Sequence, residues 1–96
     1  DESLASCVLD FGGRPYLVWD AELRREKIGD WPTELFEHFF HSFADQARCT
    51  IHITCKGKNE HHKIEAAMKA LALALREALT VEPRIGNQIP SAKGVL

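Results

Sequence analysis

Cys49-Thr50-Ile51-His52-Ile53-Thr54-Cys55-Lys56-Gly57-Lys58-Asn59-Glu60-His61-His62-Lys63-Ile64-Glu65 holds a strand, a stop and a helix start in one run. Cys49, Ile51, Ile53 and Cys55 alternate with Thr50, His52, Thr54 and Lys56, the period-two pattern of a strand with one buried face. Gly57-Lys58-Asn59 ends that strand, and Asn59 is a good N-cap. From His61 to Leu79 the chain is dense in Ala and Leu, which favours helix. Ile64, Met68 (with Ala67), Leu71, Leu75 and Leu79 form its expected core stripe. Pro83 closes the helical stretch.

Upstream, Ala5, Cys7, Leu9 and Phe11 fall on one face of a half-buried strand running from Leu4 to Phe11. Gly12-Gly13 is a turn signal, and Pro15 to Asp20 is a second strand, so the two read as a hairpin. Arg24 to Ile28 reads as a short third strand. Gly29-Asp30-Trp31-Pro32-Thr33 reads as a helix start, with a capping Asp or Thr and a Pro in the first turn. Leu35, Phe36, Phe39, Phe40, Phe43, Ala44 and Ala47 then recur at helical spacing and require a core to face. The tail from Ile85 to Leu96 is loop-like. The order β-β-β-α-β-α implies an α+β two-layer sandwich, with both helices on one face of a four-stranded sheet.

The 96 residues allow one small domain, 1–96, and 45% hydrophobic with 27% charged residues is a globular balance. A chain this short hides only about 60–65% of its unfolded surface, so docking against further copies or a partner is expected. A formal net charge of −2 offers no electrostatic reason to bind nucleic acid or an anionic membrane. The longest apolar candidate, Ala66 to Leu79, is short of the roughly 18 residues a membrane span needs and carries Lys69, Arg76 and Glu77. Cys7, Cys49 and Cys55 cannot all pair with one another, none has CxxC spacing and no secretory signal is present, which reads as buried thiols in a reducing compartment. A chain that starts at Asp1 and enters a strand pattern by Leu4 reads as a piece of something longer.

The chemistry concentrates at the start of the second helix. His61 and Glu65 are four apart and His62 and Glu65 three apart. All three are therefore expected to project from one side, away from the Ile64/Met68/Leu71 stripe. Imidazoles and a carboxylate suit Mn, Fe, Zn or Ni. The alternative is a solvated helix start, where the dipole favours Glu. Two adjacent His, mediocre helix formers, fit that less easily. The pattern is not that of a zincin, since there is no HExxH and Ala66 follows Glu65. His38 and His41 flank the aromatic stripe of the first helix, and by themselves read as edge or exposed residues, as does His52 on the polar face of its strand. Lys69 continues the His62/Glu65 face by one turn. Ser91 and Lys93, two apart in the tail, and Arg14 at the glycine turn are weak anion-binding signals singly. Together these residues offer a metal-binding set and an anion-binding set, which fits a phosphorylated substrate activated by a metal.

Several motifs then add up to a resemblance. Gly13-Arg14-Pro15-Tyr16-Leu17, Gly29-Asp30, Thr33-Glu34, Glu37-His38-Phe39-Phe40, Gly57-Lys58-Asn59-Glu60-His61-His62-Lys63-Ile64-Glu65-Ala66, Lys69-Ala70, Ala74-Leu75-Arg76 and Ile89-Pro90-Ser91-Ala92-Lys93-Gly94-Val95-Leu96 resemble, in order and separation, the imidazoleglycerol-phosphate dehydratases of histidine biosynthesis. The resemblance implies a lyase that removes water from D-erythro-imidazoleglycerol phosphate to leave imidazoleacetol phosphate. It implies two Mn2+ ions per complete site, acting as Lewis acid and template, with the substrate's own imidazole joining the metal shell.

By the same resemblance, His38, His61, His62 and Glu65 match metal ligands. The chemistry falls at His62 and Glu65, with the proton transfers unassigned between groups. Arg14, Lys69, Ser91 and Lys93 match the phosphate and substrate clamp. His41 and His52 match no ligand. The family's chain has two similar half-domains, each with a His-His-x-x-Glu motif, of the topology shared by GHMP kinases and a ribosomal protein. This chain matches the second half. The expected partners are the phosphorylated imidazole substrate and either the missing first half or further copies, within a homo-oligomeric shell of twenty-four subunits in the family. The expected compartment is the cytoplasm, or the plastid for a plant protein. The rival is a non-catalytic interaction module whose metal cluster is structural or empty, since this topology alone does not decide function. A structural cluster has a closed ligand shell; a catalytic one keeps an open position.

Overall fold

The computed structural model describes residues 1–95; Leu96, the last residue of the tail motif, lies outside the described residues. The elements are β1 (Leu4–Asp10), β2 (Tyr16–Asp20), β3 (Lys27–Ile28), β4 (Trp31–Pro32), α1 (Glu34–Ala47), β5 (Thr50–Lys56) and α2 (Glu60–Leu79). The α+β sandwich stands: α2 lies over β1 and β5, and α1 over β2 and β5, on the same face of the sheet. Ile51 and Ile53 of β5 are fully buried, and Cys49 and Cys55 continue that face. Around them pack Phe40 and Ala44 from α1, Ala67 and Leu71 from α2, and the half-buried Cys7, Leu9, Leu17 and Trp19. Trp19 meets Phe40 at 5.1 Å between ring centroids, which ties β2 to α1. No helix among the described residues is long and apolar enough to cross a membrane.

Two expectations about the sheet are corrected. First, β1 and β2 do not form a hairpin. β5 lies between them, antiparallel to β1 (Cys7↔Ile53) and parallel to β2 (Trp19↔Ile53), giving the order β1-β5-β2. The link Phe11–Pro15 is long enough to step over one strand, because each residue reaches about 3.3–3.6 Å and strands sit about 4.8 Å apart. It is pinned across the entry to β5: the Tyr16 amide donates to the Cys49 carbonyl at 3.1 Å and the Thr50 hydroxyl to the Arg14 carbonyl at 2.9 Å. β5 takes the centre with its inward side chains Ile51, Ile53 and Cys55 buried, and β1 and β2 take the edges, where their inward side chains are half-buried.

Second, among the described residues the main sheet has three strands, not four. The expected third strand shrinks to Lys27–Ile28, which pairs with Trp31–Pro32 in a separate ribbon. Gly29 turns this ribbon at φ 60°, the left-handed value that a two-residue turn with glycine first requires. Trp31 and Pro32 are thus strand, not helix start. Thr33 takes the N-cap position of α1, but its hydroxyl donates back to the Arg25 and Glu26 carbonyls at 2.7 and 3.2 Å rather than capping the helix.

The apolar stripes are wider than the sheet can cover. Leu79, expected in the core, is 69% exposed, because α2 outruns the sheet. Leu35 and Phe39 of α1 are also exposed. They line an open groove of about 640 Å3 between the helices, together with Trp31, Ile64 and Met68. Of the three free thiols, Cys49 and Cys55 are buried and Cys7 half-buried, and burial pushes each thiol above its ordinary pKa.

Candidate metal and substrate site

Asn59 opens α2 as expected: its side-chain oxygen accepts the His62 amide at 3.2 Å. One helical turn on, His61 Nε2 lies 3.8 Å from Glu65 Oε2, and Lys69 Nζ donates to Glu65 Oε1 at 2.6 Å. These three exposed side chains form a row along α2, and His61 and Glu65 stand at the rim of the apolar groove. Lys69, by hydrogen bond and charge, holds the Glu65 carboxyl below its ordinary pKa, with smaller help from His61 and His62. Glu65 is therefore ionised and available as a ligand across the neutral range.

His62 does not join that row. Successive helical residues diverge by about 100° around the axis, so His62 turns away from His61 and toward the chain before β1. Its Nδ1 lies 3.0 Å from Glu2 Oε2 and 3.4 Å from Asp1 Oδ2. Hydrogen bonding to His62 first, and to the Asn59 amide second, pulls the Glu2 carboxyl down to about 2. Among the described residues, Asp1, Glu2 and His62 are the one cluster of three or more metal-capable side chains, with ligand atoms all within 4.8 Å. The expectation that His61, His62 and Glu65 share one side is corrected accordingly: the helix splits them into His61/Glu65 and His62. One copy of the chain does not gather His38, His61, His62 and Glu65 into a single cluster. His38 stays exposed on α1.

The residues expected to clamp an anion come from separate places. Arg14 is exposed in the β1–β2 link, Lys69 is on α2, and Ser91 with Lys93 is in the tail, where the Lys93 amide donates to Ser91 Oγ at 3.2 Å. Apart from that last bond, no hydrogen bond or ion pair joins them to one another among the described residues.

A buried ion pair under this helix start escaped the sequence reading. Glu60 and Lys63, 5% and 6% exposed, meet at 2.9 Å. The second carboxylate oxygen of Glu60 accepts the Arg24 amide at 2.9 Å, and the Lys63 ammonium donates to the Glu22 carbonyl. The Lys63 carbonyl accepts from Cys55 Sγ. The pair moors the loop after β2 to the first turn of α2, directly beneath His61 and His62. Its signal was positional: Glu60, Lys63, Ile64, Ala67 and Leu71 share one helical stripe, so two charges occupy core positions. Glu2 offered no such signal, because its partners are nearly sixty residues away.

The family model for imidazoleglycerol-phosphate dehydratase matches residues 1–75. The chain is 56% identical, over all 96 residues, to the histidine biosynthesis bifunctional protein HisB of Spirosoma linguale, and 52% and 55% identical to those of Xanthomonas euvesicatoria and Bacteroides fragilis. It spans 25% of the length of each of these relatives. Among solved structures, the imidazoleglycerol-phosphate dehydratase of Staphylococcus aureus superposes with a TM-score of 0.82 at 49% identity, over 85% of this chain and 48% of that one. The enzyme of Pyrococcus furiosus gives 0.86 at 35% identity, over 100% of this chain and 52% of that one. With a match across three quarters of its length and a shared fold, the chain belongs to the imidazoleglycerol-phosphate dehydratase family.

Proposed function

We propose that this chain is the second half-domain of an imidazoleglycerol-phosphate dehydratase, supplying part of the active site of a manganese-dependent lyase in histidine biosynthesis. The observation that carries this reading is the row His61, Glu65 and Lys69 on an exposed helix face at the rim of an apolar groove. The donor set fits the metal: exposed imidazoles and an ionised carboxylate suit Mn2+. His61, His62 and Glu65, with His38 from α1, are the residues that would hold it. When bound, the metal supplies Lewis-acid polarisation and a template for the substrate's ring.

The chain's own residues do the rest. Glu65, already a carboxylate at neutral pH and held further down by Lys69, is ready to ligate. Arg14, Lys69, Ser91 and Lys93 provide three cations and a hydroxyl for a phosphate dianion. The groove walls Trp31, Phe39 and Met68 give one flank of the row an apolar surface. Because one copy splits His62 from His61 and Glu65, the complete site requires further protein, either the other half-domain or further copies. The exposed Leu35 and Phe39 give such a contact an apolar seat. We place the working assembly as a homo-oligomer in the cytoplasm, or in the plastid of a plant.

The test is metal analysis with a dehydratase assay on the purified chain, alone and mixed with the first half-domain. Manganese retention and turnover that appear only in the mixture or in an oligomer support the reading. A diluted monomer that dehydrates the substrate at full rate refutes the shared site, and a mixture with neither metal nor activity refutes the assignment.

A further inference from the structure

Glu2 uses both of its carboxylate oxygens on the start of α2. Oε1 accepts the Asn59 amide at 2.8 Å, and Oε2 lies 3.0 Å from His62 Nδ1. The sheet delivers it there. Leu4 pairs with Lys56 at the end of the β1–β5 ladder, so the residues before β1 run beside Gly57 and Asn59. A side chain at Gly57 would collide with Ser3, its Cβ falling 3.0 Å from the Ser3 Cα and closer still to the Ser3 side chain. Glycine there is what lets the strand entry approach this closely.

We propose that Glu2 is a positioning residue for His62, fixing the imidazole in the tautomer that carries its proton on Nδ1 and leaves Nε2 as the metal-binding atom. The logic is one of donors and acceptors. The Asn59 amide only donates, so Oε1 must accept. An ionised carboxylate has no proton of its own, so Oε2 also accepts, and Nδ1 must be the donor. A neutral ring then holds its lone pair on Nε2. Asp1 Oδ2, at 3.4 Å, faces the same nitrogen and favours the same tautomer. An imidazole free in water prefers the opposite one, with the proton on Nε2. Carboxylates that orient ligand histidines in this way recur at metal sites, and their loss weakens metal binding about 10–100-fold.

This inference rests on the reading of His62 as a ligand, and the test separates the two. Glu2→Gln is the informative change. A glutamine oxygen that keeps the Asn59 amide turns its NH2 toward Nδ1 and forces the proton to Nε2; the flipped amide sets NH2 against the Asn59 N–H. No orientation serves both partners and leaves Nε2 free. Glu2→Ala removes the acceptor outright and guards against an unexpected glutamine rearrangement. The tautomer is read by magnetic resonance of isotope-labelled histidine nitrogens in the metal-stripped protein, and Mn2+ affinity by titration of the same samples, with His62→Ala alongside. The expected result is an Nδ1–H tautomer in the parent protein, a shift toward Nε2–H in Glu2→Gln, and a loss of Mn2+ affinity of about 10–100-fold in both Glu2 variants. If His62→Ala loses manganese while Glu2→Gln keeps both tautomer and affinity, positioning by Glu2 is wrong and the ligand reading survives. If His62→Ala binds manganese as tightly as the parent, the ligand reading falls and this inference falls with it.

Discussion

Replacing Lys63 by Met removes the cation from beneath α2 with little change in side-chain length. In the parent, the Lys63 and Glu60 side chains are 7% and 6% exposed, and Lys63 Nζ sits 2.9 Å from Glu60 Oε1. Lys63→Met leaves the Glu60 carboxylate out of water with the Arg24 amide as its remaining partner, and leaves the Glu22 carbonyl without its donor. Breaking one side of a buried pair costs about 3–5 kcal/mol. A 96-residue chain at about 0.05–0.15 kcal/mol per residue has roughly 5–14 kcal/mol in all, so this single change removes a large share of the stability. Glu60→Gln, which takes the counter-charge from the Lys63 ammonium and leaves it the Glu22 carbonyl, is expected to fall in the same range. The double variant leaves no unpaired charge, and the amide oxygen that replaces the Glu60 carboxylate still accepts from Arg24, so, although the Glu22 carbonyl stays without its donor, it should lose less than either single variant. Urea unfolding followed by circular dichroism measures all four corners of the cycle. Coupling of roughly 2 kcal/mol or more between the two sites supports the buried pair. Single variants that each cost under about 0.5 kcal/mol and simply add would show that the pair is solvated, and that the mooring of the loop to α2 comes from something else.

Three further outcomes follow from the site. Glu65→Ala should lower Mn2+ affinity about 10–100-fold with the fold intact, and elemental analysis that finds unchanged metal removes Glu65 from the ligand set. Lys93→Ala should weaken binding of a phosphate-bearing substrate analogue and leave bound manganese as it was; equal loss of both in paired titrations would count against a separate clamp. The folded-state pKa of Glu2 is depressed, so its stabilisation is complete above the ordinary value of 4.5 and disappears as the pH falls through about 2. The parent's advantage over Glu2→Gln in thermal melting should narrow across that window, and a gap that is the same at neutral pH and at pH 2 would contradict the bond.

Elements with one clear period were readable from residues alone. β1, β5 and α2 lie where alternation or helical spacing puts them, and Asn59 caps α2 as its type suggests. What was hidden is pairing. Gly12-Gly13 turns the chain whether its two strands become neighbours or straddle a third, and local sequence does not distinguish these cases. Trp31-Pro32 has the composition of a helix entry, yet a two-residue ribbon claims it, because Gly29 can take the left-handed turn that brings it back to Ile28. At the site, spacing correctly joined His61 to Glu65 and Glu65 to Lys69. It failed for His62, which faces Asp1 and Glu2 instead, a contact that exists only once β1 is docked. The Glu60–Lys63 pair failed for another reason: a charged residue in a core register reads as surface until its partner is seen.

The central place of β5 has a consequence for how the chain acquires its structure. Every pairing in the main sheet involves β5, the last of its three strands to be synthesised. Until residues 50–56 are available, β1 and β2 are two apolar segments with open edges and no partner. Leu4 must then find Lys56 and Tyr16 must find Thr50 in the same event. Such distant pairings close slowly, because the loop entropy is lost before the contacts form. α1 and α2 can form locally on a much faster timescale, but neither has a surface to dock on before the sheet exists. The fold is therefore expected to close in one late cooperative step. The exposed interval before that step is when the strand edges are open to wrong partners, which makes early dilution or a holding chaperone matter more for refolding yield than any feature of the finished domain.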